Sequence, residues 1–153
     1  NVWAFNKNFD KSKPTLLLNS HHDTVKPNQG YTNNPFEAIV KDGKLFGLGS
    51  NDAGGCLVSL LATFVYFYSN ENLPYNIVMV ASAEEESSGK NGLNSVLKHL
   101  PELECAIVGE PTLMQLAVAE MHPANVPDRA SRRQASVEGN TSKLFEIFAA
   151  SRA

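Results

Sequence analysis

Apolar residues recur along this chain with two different periods. Thr15-Leu16-Leu17-Leu18-Asn19-Ser20 and residues 76–83 are short, nearly continuous apolar runs. Runs of that length between polar loops are the pattern of strands buried on both faces of a mostly parallel sheet. Between them Leu57, Leu60, Leu61, Phe64, Val65 and Tyr68 fall at i, i+3, i+4 spacing, which predicts a helix over 53–68. Asp52 is placed to cap or precede its first turn, and Gly54 and Gly55 let that turn pack close to neighbouring backbone. A shorter helix is predicted over 92–100, stopped by Pro101. A third strand follows at 105–108, with 116–119 a candidate fourth. Residues 1–5 alternate weakly, like the middle of a strand, and 7–14 form a polar turn. Residues 26–35 carry Pro27, Asn28, Gly30, Asn33 and Asn34 and read as a loop. Short apolar runs at 38–40 and 44–46 flank Asp42-Gly43, the signal of a hairpin closed by a type I′ turn.

Strands alternating with helices predict an α/β fold, a mostly parallel sheet flanked by helices, at least as far as Glu120. Beyond it the pattern fades: 121–140 has two prolines, scattered charge and no periodicity, while 141–153 could form a small amphipathic helix on Leu144, Ile147 and Phe148. The expected organisation is therefore a partial catalytic domain over 1–120 and a tail over 121–153. Within the tail Arg132-Arg133-Gln134-Ala135-Ser136 resembles a basophilic kinase site, but such short matches are common by chance, and a solvated basic loop is the better reading.

Composition narrows the function little. A chain of 153 residues, 42% hydrophobic and 19% charged, can bury one ordinary core. A net charge of −3 gives no reason to expect nucleic acid or an anionic membrane as partner. The longest apolar stretch, 53–68, is broken by Ser59 and Thr63 and is short for a membrane span. Cys56 and Cys105 lie in apolar surroundings with no ligand-spaced partner, which suits reduced core thiols and a cytoplasmic location.

The chemistry gathers where the strands end. His21-His22-Asp23, Asn51-Asp52, Glu84-Glu85-Glu86 and Glu110 each follow an apolar run or open a helix. In an open α/β sheet the carboxyl ends of the strands line one crevice, so these distant clusters would converge. One histidine among several carboxylates points to a metal site. Each cluster has a plainer explanation. His21 could cap a strand edge, Asp52 a helix, and a run of three glutamates is usually a solvated face. The glutamate run, however, starts at the sheet edge, where adjacent carboxylates repel unless something positive is present.

Taken together the clusters are specific. Leu18-Asn19-Ser20-His21-His22-Asp23-Thr24-Val25, Gly47-Leu48-Gly49-Ser50-Asn51-Asp52-Ala53-Gly54-Gly55, Ser82-Ala83-Glu84-Glu85-Glu86-Ser87-Ser88-Gly89 and Ile107-Val108-Gly109-Glu110-Pro111-Thr112 occur in that order. They resemble successive motifs of the co-catalytic zinc amidohydrolases, a family that includes acetylornithine deacetylase, succinyl-diaminopimelate desuccinylase, aminoacylase and related carboxypeptidases. The resemblance covers 1–120 and is closest to the acetylornithine deacetylase branch. It implies a zinc exopeptidase-like domain and two Zn²⁺ ions, for which Co²⁺ can substitute. It implies that His21 and Glu110 bind one ion, that Asp52 bridges both, and that Glu86 binds the second. Glu85 would be the general base and acid, and Asp23 the acid that holds His21. The Asp52–Ala53 peptide is expected to be cis. The implied reaction is hydrolysis of a linear amide, first of all deacylation of an N-acyl amino acid such as N-acetylornithine, in arginine biosynthesis.

The chain departs from the family in three places. A further histidine ligand of the second zinc, and the lid domain through which such enzymes often form homodimers, match nothing here. The upstream helix and strand are also missing, so a fragment is the expectation. His99 and His122 match no motif and are not enlisted. Two alternatives stay open: a metal-dependent dipeptidase or carboxypeptidase acting on short peptides, and a catalytically silent fragment. Truncation is also expected to expose Phe64, Phe67 or Tyr68 on the helix that starts near Ala53.

Overall fold

The computed structural model describes residues 1–112 and 146–148. Thr15–His21 (β2) and Asn76–Ser82 (β5) lie side by side and parallel, with Leu17 opposite Val78 and His21 opposite Ser82. Val2–Phe5 (β1) pairs antiparallel on the outer side of β5, and Cys105–Val108 (β6) pairs parallel on the other side of β2. Glu146–Phe148 (β7) adds parallel to β6, giving the order β1-β5-β2-β6-β7. Its centre takes the two continuous apolar runs, as their burial on both faces requires.

Cys56–Phe67 (α1) lies over one face, where Leu60 and Phe64 pack on Leu18, Ile77 and Met79. Leu93–Leu97 (α2) covers the other, where Val96 packs on Leu17, Val78, Val80 and Ala106. The chain passes from β2 through α1 to β5 on one side, then through α2 to β6 on the other. That reversal at β2 opens a crevice at the carboxyl ends of the three parallel strands. Ile39–Lys41 (β3) and Lys44–Phe46 (β4) form a separate hairpin. Asp42 and Gly43 have φ of 51° and 73°, the pair of positive values that a type I′ turn demands.

Several expectations are corrected. The helix begins at Cys56, not near Ala53, because Asp52 and Ala53 leave helical φ/ψ inside the kinked turn Ser50–Gly55. Asp52 therefore precedes the helix without capping it; the cap position is Gly55, with no side-chain hydrogen bond. Of the three aromatics expected to be exposed, Tyr68 is, at 41%, while Phe64 is buried at 6%. The expected helix over 141–153 holds a strand at Glu146–Phe148 instead. The edge of β6 offers backbone donors and acceptors, and Ile147 and Phe148 carry strand-favouring side chains. The candidate strand at 116–119, His122 and the basic loop at 132–136 lie outside the described residues.

Candidate metal centre

His21 is the last residue of β2 and is 1% exposed. Being buried between two neighbouring strands fixes the ring before any ligand arrives. Its Nδ1 lies 3.0 Å from the backbone carbonyl oxygen of Asp23. A carbonyl can only accept, so Nδ1 carries the proton and Nε2 is the atom presented to the crevice. Nε2 lies 3.0 Å from Asp52 Oδ1 and 3.8 Å from Glu110 Oε2. His21, Asp52 and Glu86 each offer a ligand atom within 4.8 Å of the others. Neighbouring His22 is exposed, and His99 stacks on Trp3 with ring centroids 6.1 Å apart.

Asp52 is delivered by the kinked turn ahead of α1, and the Asp52–Ala53 peptide is cis. Glu110 follows β6 through Gly109, whose N–H donates to the carbonyl of Asn19 at 2.8 Å. A Cβ at position 109 would meet Cys56 Cβ at 2.9 Å and Leu60 Cδ1 at 3.0 Å, so only glycine lets this segment lie so close to α1.

Asp23 does more than was expected of it. Its carboxylate is 3.5 Å from His21 Nδ1, farther than its own carbonyl oxygen, so the backbone holds the ring more closely than the side chain does. The carboxylate accepts instead from two backbone N–H groups, Glu85 to Oδ1 and Glu86 to Oδ2, both at 3.2 Å. One acidic side chain thus ties the turn after β2 to the turn after β5. Glu84, at the start of that second turn, has φ 56° and accepts from Asn91 N at 3.1 Å and Asn91 Nδ2 at 3.0 Å. Those two hydrogen bonds hold its carboxyl below the ordinary carboxylate range. Sequence reasoning left Glu84 and Asn91 without a role; the sole trace of their pairing is the glycine at 89 that makes room for it.

The electrostatics show what the cluster needs. Burial pushes the His21 imidazole toward neutrality, but Glu110, Asp52, Glu85 and the Asp23 carbonyl outweigh it and raise its pKa. The Glu86 carboxyl is raised by burial first, then by Asp52, Glu85 and Asp23, against the pull of His21. His21 Nε2 and the carboxylates of Asp52, Glu86 and Glu110 thus crowd around one point where positive charge is favoured. A divalent cation at that point replaces one positive charge with two and gives a nitrogen and hard oxygens a common partner. The donor set fits a metal of the zinc kind.

Comparison with known proteins gives the chain relatives of one kind. The profile of the Peptidase family M20/M25/M40 matches residues 17–151. Succinyl-diaminopimelate desuccinylase of Buchnera aphidicola subsp. Cinara cedri is 35% identical over 119 residues, 73% of this chain and 31% of its own length. The enzyme of that name from Wigglesworthia glossinidia brevipalpis is 32% identical over the same shares. The chain thus spans just under a third of these relatives. Among solved structures, an M20 family metallo-carboxypeptidase from Sulfolobus solfataricus superposes with a TM-score of 0.55 at 22% identity, covering 69% of this chain and 25% of that one. Human carnosine dipeptidase 1 gives 0.52 at 20% identity, covering 71% and 24%.

Proposed function

We propose that this chain, which belongs to peptidase family M20/M25/M40, carries the metal-binding core of a Zn²⁺-dependent hydrolase of N-acyl amino acids. The observation that carries the reading is the meeting of His21, Asp52 and Glu86 within 4.8 Å, with Glu110 3.8 Å from the same imidazole.

His21 would give Nε2, and Asp52, Glu86 and Glu110 their carboxylates, to the Zn²⁺ ions. The chemistry these residues would gain from bound zinc is Lewis-acid polarisation of the amide carbonyl and a more acidic water. Glu85 moves the proton: it takes one from the attacking water and returns it to the leaving amine nitrogen as the C–N bond breaks. Asp23 fixes the Glu85 and Glu86 backbone from below, which keeps the proton carrier and a ligand in one geometry.

The names of the desuccinylase relatives suggest a succinylated diamino acid as substrate, and the resemblance to the acetylornithine deacetylase branch suggests N-acetylornithine. Both are amides of a small acyl group on an amino acid, and both suit this chemistry. Amine release from N-succinyl-diaminopimelate, N-acetylornithine and a dipeptide, measured with added Zn²⁺ or Co²⁺, separates them. Turnover of either acyl compound supports the reading, and turnover of the dipeptide alone replaces it with a peptidase. Zinc uptake without turnover of any of the three marks a silent fragment. A chain that takes up no zinc in equilibrium dialysis loses the reading altogether.

A further inference from the structure

We propose that Glu84 is a positioning residue whose carboxylate locks the turn after β5, so that Glu85 and Glu86 are presented to the crevice already in register. The inference rests on the hydrolytic reading of the site and adds a residue that touches neither metal nor substrate.

The argument starts at the end of β5. A strand running straight on past Ser82 would carry the three glutamates out along the sheet edge. Instead Glu84 takes a left-handed conformation, φ 56°, uncommon for a residue with a side chain. The chain turns back at that point, and the Gly89 N–H donates to the Glu84 carbonyl at 2.9 Å. The side chain closes the same loop. Its two oxygens accept separately from the backbone N–H and the side-chain amide of Asn91, at 3.1 and 3.0 Å. The carboxylate fills the place where a side chain at position 89 would begin: a Cβ on Gly89 would collide with Glu84 Oε2. Asn1 braces the outside of the loop. Its Oδ1 accepts from Ala83 N at 2.8 Å, and its Nδ2 donates to the carbonyl of Asn91.

The loop from Glu84 to Asn91 is thus closed by Glu84, and Asp23 holds its first turn through the Glu85 and Glu86 N–H groups. Glu85 and Glu86 differ from Glu84 in direction. Glu86 offers an oxygen within 4.8 Å of ligand atoms of His21 and Asp52, and Glu85 lies near enough to raise the imidazole's pKa, whereas Glu84 faces its own loop. Without the Glu84 contacts, the crowding of Glu85 and Glu86 beside Asp23 and Asp52 would push the turn outward in metal-free protein. Partners that orient ligands in this way typically change metal affinity about tenfold to a hundredfold when removed.

The test compares wild type with Glu84→Ala, Glu84→Gln and Gly89→Ala. Amide hydrogen exchange followed by NMR should show the Glu85 and Glu86 N–H groups protected in wild type. In Glu84→Ala they should exchange at least about tenfold faster while the β5 amides keep their protection. Gly89→Ala should do the same, because its methyl group evicts the carboxylate. Glu84→Gln keeps one acceptor oxygen and should recover part of the protection, a rescue that loss of a merely structural contact would not show. Zinc titrations should follow the same order, with affinity about tenfold to a hundredfold lower in Glu84→Ala. Unchanged exchange at Glu85 and Glu86 in both Glu84→Ala and Gly89→Ala overturns the proposal, as does fast exchange of those amides in wild type. Absence of zinc binding by wild type would instead sink the proposed function, and the exchange data alone then decide the role of Glu84.

Discussion

Glu85 and Glu86 are adjacent in sequence and are assigned different work, which single substitutions can separate. Glu85→Gln keeps the shape and removes the proton carrier. It is expected to lose about 10²–10⁴-fold in turnover while zinc content by atomic absorption stays at the wild-type level. Asp52→Asn is expected to lose metal, because its oxygen faces His21 Nε2 at 3.0 Å. Retained turnover in Glu85→Gln would remove Glu85 from the mechanism. Gly109 is constrained differently, by space. Gly109→Ala drives a methyl group into Cys56 and Leu60. It should destabilise the fold by about 1–3 kcal/mol, as overpacking does, read from urea midpoints. At this scale the sequence showed the residue types well. His21 could be picked out because a histidine ending a buried strand has an acid two residues on. What could not be read was which oxygen of Asp23 holds the ring, since carbonyl and carboxylate lie on the same residue and only the backbone path decides between them. Glu84 was hidden for a related reason: three identical side chains in a row say nothing about which one folds back.

The helix α1 divides cleanly into two faces. Leu60 and Phe64 are buried against the sheet, while Val58, Val65 and Tyr66 are all more than 60% exposed. Leu60→Ala should cost about 2–5 kcal/mol by leaving a cavity, and Val65→Ala should stay within about 0.5 kcal/mol. Equal losses from the two, measured by chemical denaturation, would mean that the exposed face is covered in solution. Helical spacing gave the period of this segment but not its phase. Leu61, Val65 and Tyr68 fit the same repeat as Leu60 and Phe64, and yet they point away from the sheet. Only Ser59 and Thr63, both exposed, mark the outer side of the helix, and two small hydroxyls among so many apolar residues are a faint sign of direction. Its start was misplaced because Asp52 resembles a cap in one dimension. A kink at Asp52 and Ala53, which turns that carboxylate toward His21, leaves no mark in apolar periodicity. The hairpin was easier: Asp42-Gly43 demands one turn type, and that turn type sets the pairing of β3 with β4.

For the molecule as a whole, the proposed function makes proton and metal competitors for one place. The raised pKa of His21 means that the fold favours its protonated form. That contribution is complete below the ordinary value of 6.5 and disappears as pH rises through the raised one. Glu86 has the same sign by a different route. Its carboxyl is raised from 4.5 by burial and like charge, so ionising it in the fold removes stability as pH climbs through that raised value. Metal-free protein should therefore melt lower at ~pH 8 than at ~pH 5.5. On the proposed reading zinc would displace the proton, so its stabilising effect should grow over the same interval, reaching about 2.7 kcal/mol when free zinc is a hundredfold above Kd. Differential scanning calorimetry with and without chelator checks both trends, and a metal-free Tm that rises with pH would contradict them. At this scale the sequence was most informative. Four motifs that are weak alone became strong because the strand order of an α/β sheet brings their ends together. Among the described residues no helix is long and apolar enough to cross a membrane.

The seat of His21 on β2, between β5 and β6, has a consequence for how the site comes apart. Sheets erode from their margins inward, and opening free energies rise toward the interior strands. The short strand β6 should therefore loosen before β2, and with it goes Glu110, while His21 and Asp52 are still in contact. Mild urea would then leave a weakened three-donor site in a largely folded chain. A drop in zinc affinity well before the main unfolding transition would be the signature of that graded dismantling.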